Sequence, residues 1–347
     1  MCLWALQNEI GIQMRTTLQD DGKKLVVWAP AKVNLFFEIH HLRRDGYHDI
    51  ETLVAPVSLF DRIEFAECDS LCGGTRNFVV ECCDENGSSY TRIPSDSSNL
   101  IFRAYEVFCK ASAEKQELSP KLRSLSARVY KGVPIQAGLG GGSSDAAATL
   151  VALNLLTNDI FSANELKQMA AQLGSDVPLF LESGASIGRG RGELVEPFRL
   201  PSLNLVILKP RDGVPTPAAY RAFDSMPPCE PRSLESLCRA IRNEYETNDQ
   251  YDSRELSSRV ARVLARGISN RLEEAVASIW RDARRWRDML ASTPNALVAQ
   301  MTGSGSAFFA IYPDEESATL GAECLRERSQ PVRDELEGIY VVKTLTS

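Results

Sequence analysis

The strongest chemical pattern in the sequence is a glycine-rich segment that runs directly into a helix. Residues 134–145 read Pro-Ile-Gln-Ala-Gly-Leu-Gly-Gly-Gly-Ser-Ser-Asp, and an alanine- and leucine-rich stretch follows. Glycines let the main chain approach a ligand because no side chain stands in the way. The first turn of a helix presents unpaired N–H groups and a partial positive charge. The segment therefore predicts a phosphate-binding loop, formed by Gly138, Leu139, Gly140, Gly141, Gly142, Ser143 and Ser144.

This segment lacks the features of two better-known phosphate-binding motifs. A P-loop ends in Gly-Lys-Ser or Gly-Lys-Thr, and no lysine closes the glycine run here. A dinucleotide-binding fingerprint needs a third glycine where Ser143 stands. The hydroxyl of Ser143 or Ser144 is the nearest candidate for a magnesium ligand. A flexible turn whose polar residues only cap the helix is the alternative.

Two other segments carry side chains suited to orienting a nucleophile or accepting a proton. In Ala-Lys-Val-Asn, Lys32 and Asn34 are two residues apart on a predicted strand and point to the same face. The pair could orient a phosphate or a nucleophile, or form the solvent side of the strand. In Gly-Ser-Asp-Val-Pro, Asp176 lies between a helix end and an apolar run. A carboxylate there can act as a general base or metal ligand, or only form a turn.

Two turns supply the remaining candidates. Segment 43–48 contains Asp-Gly, which is typical of a hairpin, followed by Tyr47 and His48. These two rings could stack on a base or remain exposed on an ordinary hairpin. Segment 302–307 reads Thr-Gly-Ser-Gly-Ser-Ala. Its N–H groups could bind an anion, or it could be only a tight turn.

The elements that position these residues follow from the hydrophobic periodicity. A capping box at Ser162 and Glu165 opens a helix that ends at Gly174. Strands mix with helices without strict alternation, which predicts an α+β fold rather than a doubly wound sheet. Strands are predicted at 25–28, 33–40, 63–66, 125–130, 203–208, 298–302, 307–312 and 338–344. Further helices are predicted at 99–110, at 145–156 and over most of 233–290.

Composition sets the class of protein. The 347 residues are 44% hydrophobic and 24% charged, which is typical of a globular chain of about two domains. The net charge of −7 provides no basic field for nucleic acid or an anionic membrane. Nine scattered cysteines without a Cys-x-x-Cys pair indicate reduced thiols in a cytoplasmic protein. We predict an N-terminal extension at 1–24, a first domain at 25–200, a proline-rich connector at 201–232 and a second domain at 233–347.

Together and in this order, the motifs resemble those of the GHMP kinases over about residues 25–345. Ala-Lys-Val-Asn-Leu, Asp-Gly-Tyr-His and Gly-Ser-Asp-Val-Pro are similar to those of the members that phosphorylate 4-diphosphocytidyl-2-C-methyl-D-erythritol in the non-mevalonate isoprenoid pathway. The resemblance implies a two-domain GHMP kinase fold. It implies an N-terminal domain like domain 2 of ribosomal protein S5 and a ferredoxin-like C-terminal domain. It also implies ATP and Mg²⁺ as cofactors and a small-molecule alcohol as substrate.

The resemblance further implies roles for individual residues. Asp176 matches the catalytic aspartate that takes the proton of the substrate 2-hydroxyl, and Lys32 matches the lysine that orients it and favours its ionised form. The positions that match substrate contacts are Asn34, Tyr47, His48, Thr216 and Tyr220, with Tyr47, His48 and Tyr220 at the cytosine. The positions that match ATP contacts are Asn99, Lys131 and the loop 138–144. Segment 303–305 matches the third motif of the superfamily.

The sequence leaves some alternatives open. Another GHMP kinase, acting on mevalonate or homoserine, would have no need for three aromatic rings around a base. A non-catalytic nucleotide-binding paralogue would have no need to keep Lys32 and Asp176. A monomer and a homodimer, cytoplasm and plastid, and a start at Met1 or at Met14 are all compatible with the sequence. It also assigns no role to the charged segment 225–262 or to Arg189 and Arg191.

Overall fold

The chain forms two compact units, each of which is discontinuous along the sequence. The computed structural model describes residues 14–19, 23–67, 77–84, 86–94, 96–117, 119, 122, 124–246 and 252–346. Met1, one of the two possible starts, and three of the nine cysteines (Cys2, Cys68 and Cys72) lie outside these ranges. The first unit comprises Met1–Ala31, Leu59–Val133 and Gly140–Ser183. The second unit comprises Lys32–Ser58, Pro134–Leu139 and Gly184–Ser347.

The first unit combines a sheet with three α-helices. Its elements are β1 (Arg15–Gln19), the first part of β2 (Lys24–Leu42), the second part of β3 (His48–Glu67), β4 (Asn77–Cys83), α1 (Leu100–Glu114), β5 (Ser124–Tyr130), α2 (Gly141–Leu156), α3 (Ala163–Leu173) and a 3₁₀ turn at Pro178–Leu181. The strand order is β1-β2-β3-β5-β4. Strand β5 pairs with β3 antiparallel and with β4 parallel.

Local sequence signals explain several of these elements. In β5, Leu125, Ala127 and Val129 are buried, whereas Arg128 is exposed. This alternation is that of a strand with one face in the core. The capping box that opens α3 forms as predicted, with Ser162 and Glu165 bonded reciprocally. The strands and the three helices share one hydrophobic core, in which Phe65 and Phe108 are almost fully buried.

The second unit contains a four-stranded antiparallel sheet with the order β10-β11-β8-β12. Its elements include β6 (Ser186–Gly190), β7 (Leu194–Pro197), β8 (Asn204–Pro210), α4 (Thr216–Asp224), α5 (Leu234–Glu246), α6 (Ser253–Gly267), β9 (Ser269–Asn270), α7 (Leu272–Ile279), α8 (Asp282–Ala291), β10 (Val298–Met301), β11 (Phe308–Tyr312), α9 (Glu315–Arg328) and β12 (Leu336–Lys343). Helices follow β8 and β11, so the four strands have the connectivity and order of the predicted ferredoxin-like domain. Its core includes Trp286 and Phe308.

The structure also differs from the expected elements. Residues 15–19, within the predicted extension, pair with β2 as strand β1. Residues 216–224, within the predicted connector, form α4. Pro215 is its N-cap residue and Pro217 its second residue, and proline is compatible with a helix at these positions. Helix α9 and strand β4 were not predicted. The boundaries drawn along the chain stay predictions, because the two units interleave and both β2 and β3 have residues in each.

Candidate functional site

In the second unit, Lys32 and Asn34 form a buried hydrogen-bonded network on β2. The Lys32 ammonium donates to Asn34 Oδ1 at 2.5 Å. The Asn34 amide donates to Thr52 Oγ1 at 2.8 Å, and Thr52 in turn donates to the Phe36 carbonyl. Lys32 and Asn34 are only 4% and 3% exposed. The alternation predicted from the sequence is therefore confirmed, but the shared face is buried rather than exposed to solvent.

The first glycine of the predicted phosphate loop packs against the segment 302–305 of the same unit. Gly138 has φ of +74°, and a Cβ at this position would collide with the Thr302 carbonyl oxygen. Thr302 Oγ1 accepts a hydrogen bond from the Asn34 main-chain N–H at 3.0 Å. The Asn270 amide donates to the carbonyls of Met301 and Gly303, each at 2.8 Å. Hydrogen bonds from Asn34 and Asn270 thus fix the turn at 302–305. The Thr302 carbonyl of this turn leaves no room for a side chain at position 138.

Two aromatic side chains contact the ring of His48. The His48 ring stacks on Tyr220 of α4, with ring centroids 5.4 Å apart and an interplanar angle of 25°. Phe223 contacts His48 edge-on. His48 Nε2 lies 2.9 Å from Asp224 Oδ1. A carboxylate only accepts hydrogen bonds, so in the neutral ring Nε2 carries the proton and Nδ1 carries the lone pair.

The other residues predicted to contact substrate also lie in the second unit. Tyr47 is 56% exposed, and the Arg191 guanidinium lies 5.0 Å above its ring. Thr216 Oγ1, at the start of α4, is 2.7 Å from Ser304 Oγ. Arg189 instead pairs with Glu51 and Glu196 on neighbouring strands. Arg191 thus lies over an aromatic ring as well as near the Glu193 carboxylate, whereas Arg189 pairs with carboxylates.

In the first unit, the predicted phosphate loop continues into the first turn of α2. Gly140 is the N-cap residue, with φ of +73° and no side-chain hydrogen bond capping the helix. The N–H groups of this turn are therefore not satisfied by a capping side chain. The Ser143 side chain is half-buried, whereas Ser144 is fully buried and its hydroxyl has no hydrogen-bond partner in the described part of the chain. Of the two hydroxyls, only that of Ser143 has access to solvent.

Lys131, predicted to contact ATP, has a buried ammonium. Its Nζ bonds to Asp61 Oδ2 of β3 and, at 2.8 Å, to Asp145 Oδ2 of α2. The two carboxylates raise the pKa of Lys131 above its usual value, although burial acts in the opposite direction. Burial and the charge of Asp145 raise the pKa of Asp61 above its usual value, whereas the Lys131 ammonium lowers it. The side chain is thus committed to internal partners, and a nucleotide contact by Lys131 would come from its main chain.

Asn99 and a groove lie on the β4 side of the first unit. Asn99 is the N-cap of α1 and accepts a hydrogen bond from the Ile101 N–H. Its amide donates to the Pro94 carbonyl at 2.8 Å and faces Cys82 Sγ at 3.9 Å. Both Cys82 and Pro94 line a groove of about 760 Å³. The remaining lining residues are Val80, Glu81, Cys83, Gly87, Ser89, Tyr90, Thr91, Ile93, Arg128 and Tyr130.

Asp176 lies in the turn between α3 and the 3₁₀ helix Pro178–Leu181 of the first unit. The Val177 N–H donates to the Gly174 carbonyl at 3.3 Å, which closes this turn. Asp176 is half-buried, between the buried side chains of Leu173 and Val177 in the sequence. This is the helix-end position predicted for it.

The structure thus divides the predicted residues between the two units. The second unit holds Lys32, Asn34, Tyr47, His48, Gly138, Leu139, Thr216 and Tyr220. The first unit holds Asn99, Lys131, Gly140, Gly141, Gly142, Ser143, Ser144 and Asp176. Sequence reasoning missed Asp61, Asp145 and Asp224. The signal for Asp61 was its position as a charged residue inside an apolar run. Nothing in the local sequence marked Asp224.

Comparison with known proteins defines the class. The family model described as "GHMP kinases N terminal domain" matches residues 99–184. The model described as "GHMP kinases C terminal" matches residues 254–329. A solved structure of homoserine kinase from Cytophaga hutchinsonii aligns with a TM-score of 0.64 over 95% of this chain and 97% of its own, at 17% identity. That likeness concerns the fold.

More similar proteins narrow the family. The 4-diphosphocytidyl-2-C-methyl-D-erythritol kinase of Pelotomaculum thermopropionicum is 35% identical over 307 residues, which cover 88% of this chain and 94% of the relative. A crystal structure of 4-(cytidine 5'-diphospho)-2C-methyl-D-erythritol kinase aligns with a TM-score of 0.68 at 28% identity, over 93% of this chain and 100% of the other. The chain therefore belongs to the 4-diphosphocytidyl-2-C-methyl-D-erythritol kinase family of GHMP kinases. Among the described helices, none is long and apolar enough to cross a membrane.

Proposed function

We propose that this chain transfers the γ-phosphoryl group of ATP to the 2-hydroxyl of 4-diphosphocytidyl-2-C-methyl-D-erythritol, a step of non-mevalonate isoprenoid synthesis. The hydroxyl oxygen bonds to the γ-phosphorus, the bond from that phosphorus to the β,γ-bridging oxygen breaks, and the hydroxyl proton passes to a base. ADP and the 2-phosphorylated alcohol are the products. The observation that carries this proposal is the match along 94% of the relative from P. thermopropionicum.

The first unit supplies the proposed ATP site. Main-chain N–H groups of the glycine loop and of the uncapped first turn of α2 suit the phosphates. The groove beside Asn99 has apolar and aromatic walls, including Tyr90 and Ile93, which suit a purine base. These features support the assignments of Asn99 and residues 140–144 to ATP. Gly138, Leu139 and Lys131 are assigned to ATP from the matching motifs.

We propose that magnesium binds together with ATP, as the MgATP complex. Within the described residues, no group of three or more His, Cys, Asp or Glu side chains could hold a metal ion. The half-buried hydroxyl of Ser143 is the protein ligand we propose, because that of Ser144 is fully buried. When bound, Mg²⁺ would neutralise phosphate charge that develops during transfer.

The second unit supplies the proposed alcohol site. The stacked pair of His48 and Tyr220, with exposed Tyr47 nearby in sequence, offers flat surfaces and one imidazole nitrogen for a cytosine ring. With Nε2 held by Asp224, the Nδ1 lone pair could accept from the amino group of cytosine. Thr216 and Asn34 are the further substrate contacts that we propose. Because the Asn34 side chain already accepts hydrogen bonds from Lys32 and Thr302, its main contribution is to hold these two side chains in place.

Asp176 is the proposed general base, and Lys32 is the proposed cation that orients it and favours its ionised form. Phosphoryl transfer requires positioning and charge neutralisation more than covalent chemistry by the protein. The main-chain N–H groups of the glycine loop, Lys32 and Asp176 are proposed to supply these together. Their roles are proposed from the matching motifs.

Two further properties are proposed with the activity. The described cysteines are free thiols, which supports the cytoplasm as the compartment, with a plastid as the alternative. The enzyme is proposed to act as a monomer or homodimer, and sedimentation at assay concentration distinguishes these states.

The test is ADP release from MgATP with four alcohols: 4-diphosphocytidyl-2-C-methyl-D-erythritol, 2-C-methyl-D-erythritol 4-phosphate, mevalonate and homoserine. We expect turnover only with the cytidine-bearing alcohol. Equal kcat/KM with the alcohol that lacks cytidine would overturn the aromatic base site. Turnover with only mevalonate or only homoserine would overturn the proposed identity of the substrate. ATP binding without turnover of any alcohol would favour a non-catalytic nucleotide-binding protein.

A further inference from the structure

A buried cluster of three charged side chains lies in the first unit at the start of α2. Asp61 comes from β3, Lys131 follows β5, and Asp145 is the fifth residue of α2. The side chains of Asp61, Lys131 and Asp145 are 0%, 5% and 6% exposed. The Lys131 ammonium bonds to both carboxylates and so connects three elements of the unit.

Asp61 also binds main chain directly. Its Oδ1 accepts from the N–H groups of Gly132 at 2.8 Å and Val133 at 2.9 Å. A Cβ added to Gly141 would lie 3.4 Å from Asp61 Oδ2 and 3.1 Å from a methyl group of Val133. Asp61 therefore bonds to the segment 131–133 and would meet any side chain placed at the glycine that opens α2. Lys131 and Gly141 are both among the residues proposed above to bind ATP.

Stability alone is a weak explanation for this cluster. Removing charged groups from water carries a penalty that a buried ion pair often fails to recover, and apolar residues of similar volume can stabilise a fold as well or better. The oxygen Asp145 Oδ1 is buried and accepts no hydrogen bond from the described residues. A buried acceptor without a hydrogen bond adds to the energetic cost of the cluster.

We propose that Asp61 is a positioning residue for ATP, which acts through Lys131 and the main chain of 131–133 to hold the nucleotide-binding segments in register with the first turn of α2. Asp145 is the second anchor of the same cluster. The proposal rests on the ATP site proposed above. It differs from a role in chemistry because the three side chains touch protein groups rather than reacting atoms.

The test replaces carboxylates by amides of the same shape. In Asp61→Asn, Oδ1 can still accept from the main chain, but the new NH₂ group faces the Lys131 ammonium, and two donors repel each other. We expect KM for ATP to rise about 10-fold, in keeping with the sensitivity of catalysis to small misplacements. The KM for the alcohol should stay within about 2-fold and kcat within about 3-fold, because lost ground-state binding raises KM alone.

Two companion variants complete the experiment. Asp145→Asn leaves the Asp61 bonds to main chain intact and should raise KM for ATP less than Asp61→Asn does. Glu165→Gln is the matched control, because it makes the same chemical change in an exposed ion pair with Lys115 of the same unit. Glutamine also serves at this position of a capping box. Calorimetric titration with MgATP, without alcohol, is run on every variant and on the wild type.

The outcomes separate the two proposals. A wild-type chain that binds MgATP without turning over any alcohol would refute the proposed function, and the titrations would still test the cluster. Weaker ATP binding in Asp61→Asn, with unchanged binding in Glu165→Gln, supports the positioning role. Equal changes in both KM values, or unchanged affinity per folded molecule, would overturn it. Failure of both Asp61→Asn and Asp145→Asn to fold would also overturn it, because the cluster would then serve folding alone.

Discussion

Replacing Tyr220 by alanine tests the base site in the second unit. The change removes the ring that stacks on His48 at 5.4 Å, while alanine keeps the helical propensity of α4. Stacking of a base on an aromatic side chain contributes about 1–3 kcal/mol. Since about 1.4 kcal/mol corresponds to a factor of ten, KM for the cytidine-bearing alcohol should rise roughly 5- to 150-fold. The kcat at saturation and the KM for ATP should change little.

Tyr220→Phe is the matched control, because it keeps the ring and removes only the hydroxyl. Initial rates are measured by ADP release at saturating MgATP with the alcohol varied, and then in the reverse design. We expect Tyr220→Phe to remain close to the wild type. A loss in Tyr220→Ala that is confined to KM for ATP, or one that Tyr220→Phe reproduces, would refute the assignment of this ring to the base.

Three further substitutions test separate parts of the account. Asp176→Asn should keep ATP affinity and lower kcat about 10²–10⁴-fold in single-turnover assays, since it removes the proposed general base; near-normal kcat would exclude that role. Gly138→Ala should lower kcat/KM at least ~10-fold, because left-handed backbone costs about 1–2 kcal/mol and the new methyl group meets the Thr302 carbonyl; an unchanged value would contradict this packing. Asp224→Asn permits either tautomer of His48 and should reduce the kcat/KM preference for cytidine- over uridine-bearing alcohol about 10-fold; an unchanged ratio would separate Asp224 from base selection.

The sequence predicted elements well where a local signal decides the structure. The helix opened by Ser162 and Glu165 is fixed by reciprocal hydrogen bonds over three residues. The shared face of Lys32 and Asn34 follows from the two-residue period of a strand. Both signals require only neighbouring residues, so no knowledge of tertiary packing was needed to find them.

Features that depend on distant partners could not be predicted in this way. Strand β1 exists because residues 15–19 pair with β2, and its own sequence carries little apolar alternation. Asp145 looked like a helix cap after two serines, and only Lys131 and Asp61 reveal its buried role. The bond between His48 and Asp224 joins residues 176 positions apart. Such pairings are set by the fold and leave no mark in sequence spacing.

The position of the transferred phosphoryl group is the most direct test of the proposed reaction. Carbon 2 of the 2-C-methyl-D-erythritol moiety bears a methyl group and no hydrogen. The product of MgATP and the cytidine-bearing alcohol is therefore examined by proton-coupled phosphorus NMR. The account predicts a new phosphomonoester signal without coupling to protons, together with the retained diphosphate signals. A new signal split by carbon-bound protons would place the phosphoryl group on another hydroxyl and contradict the account.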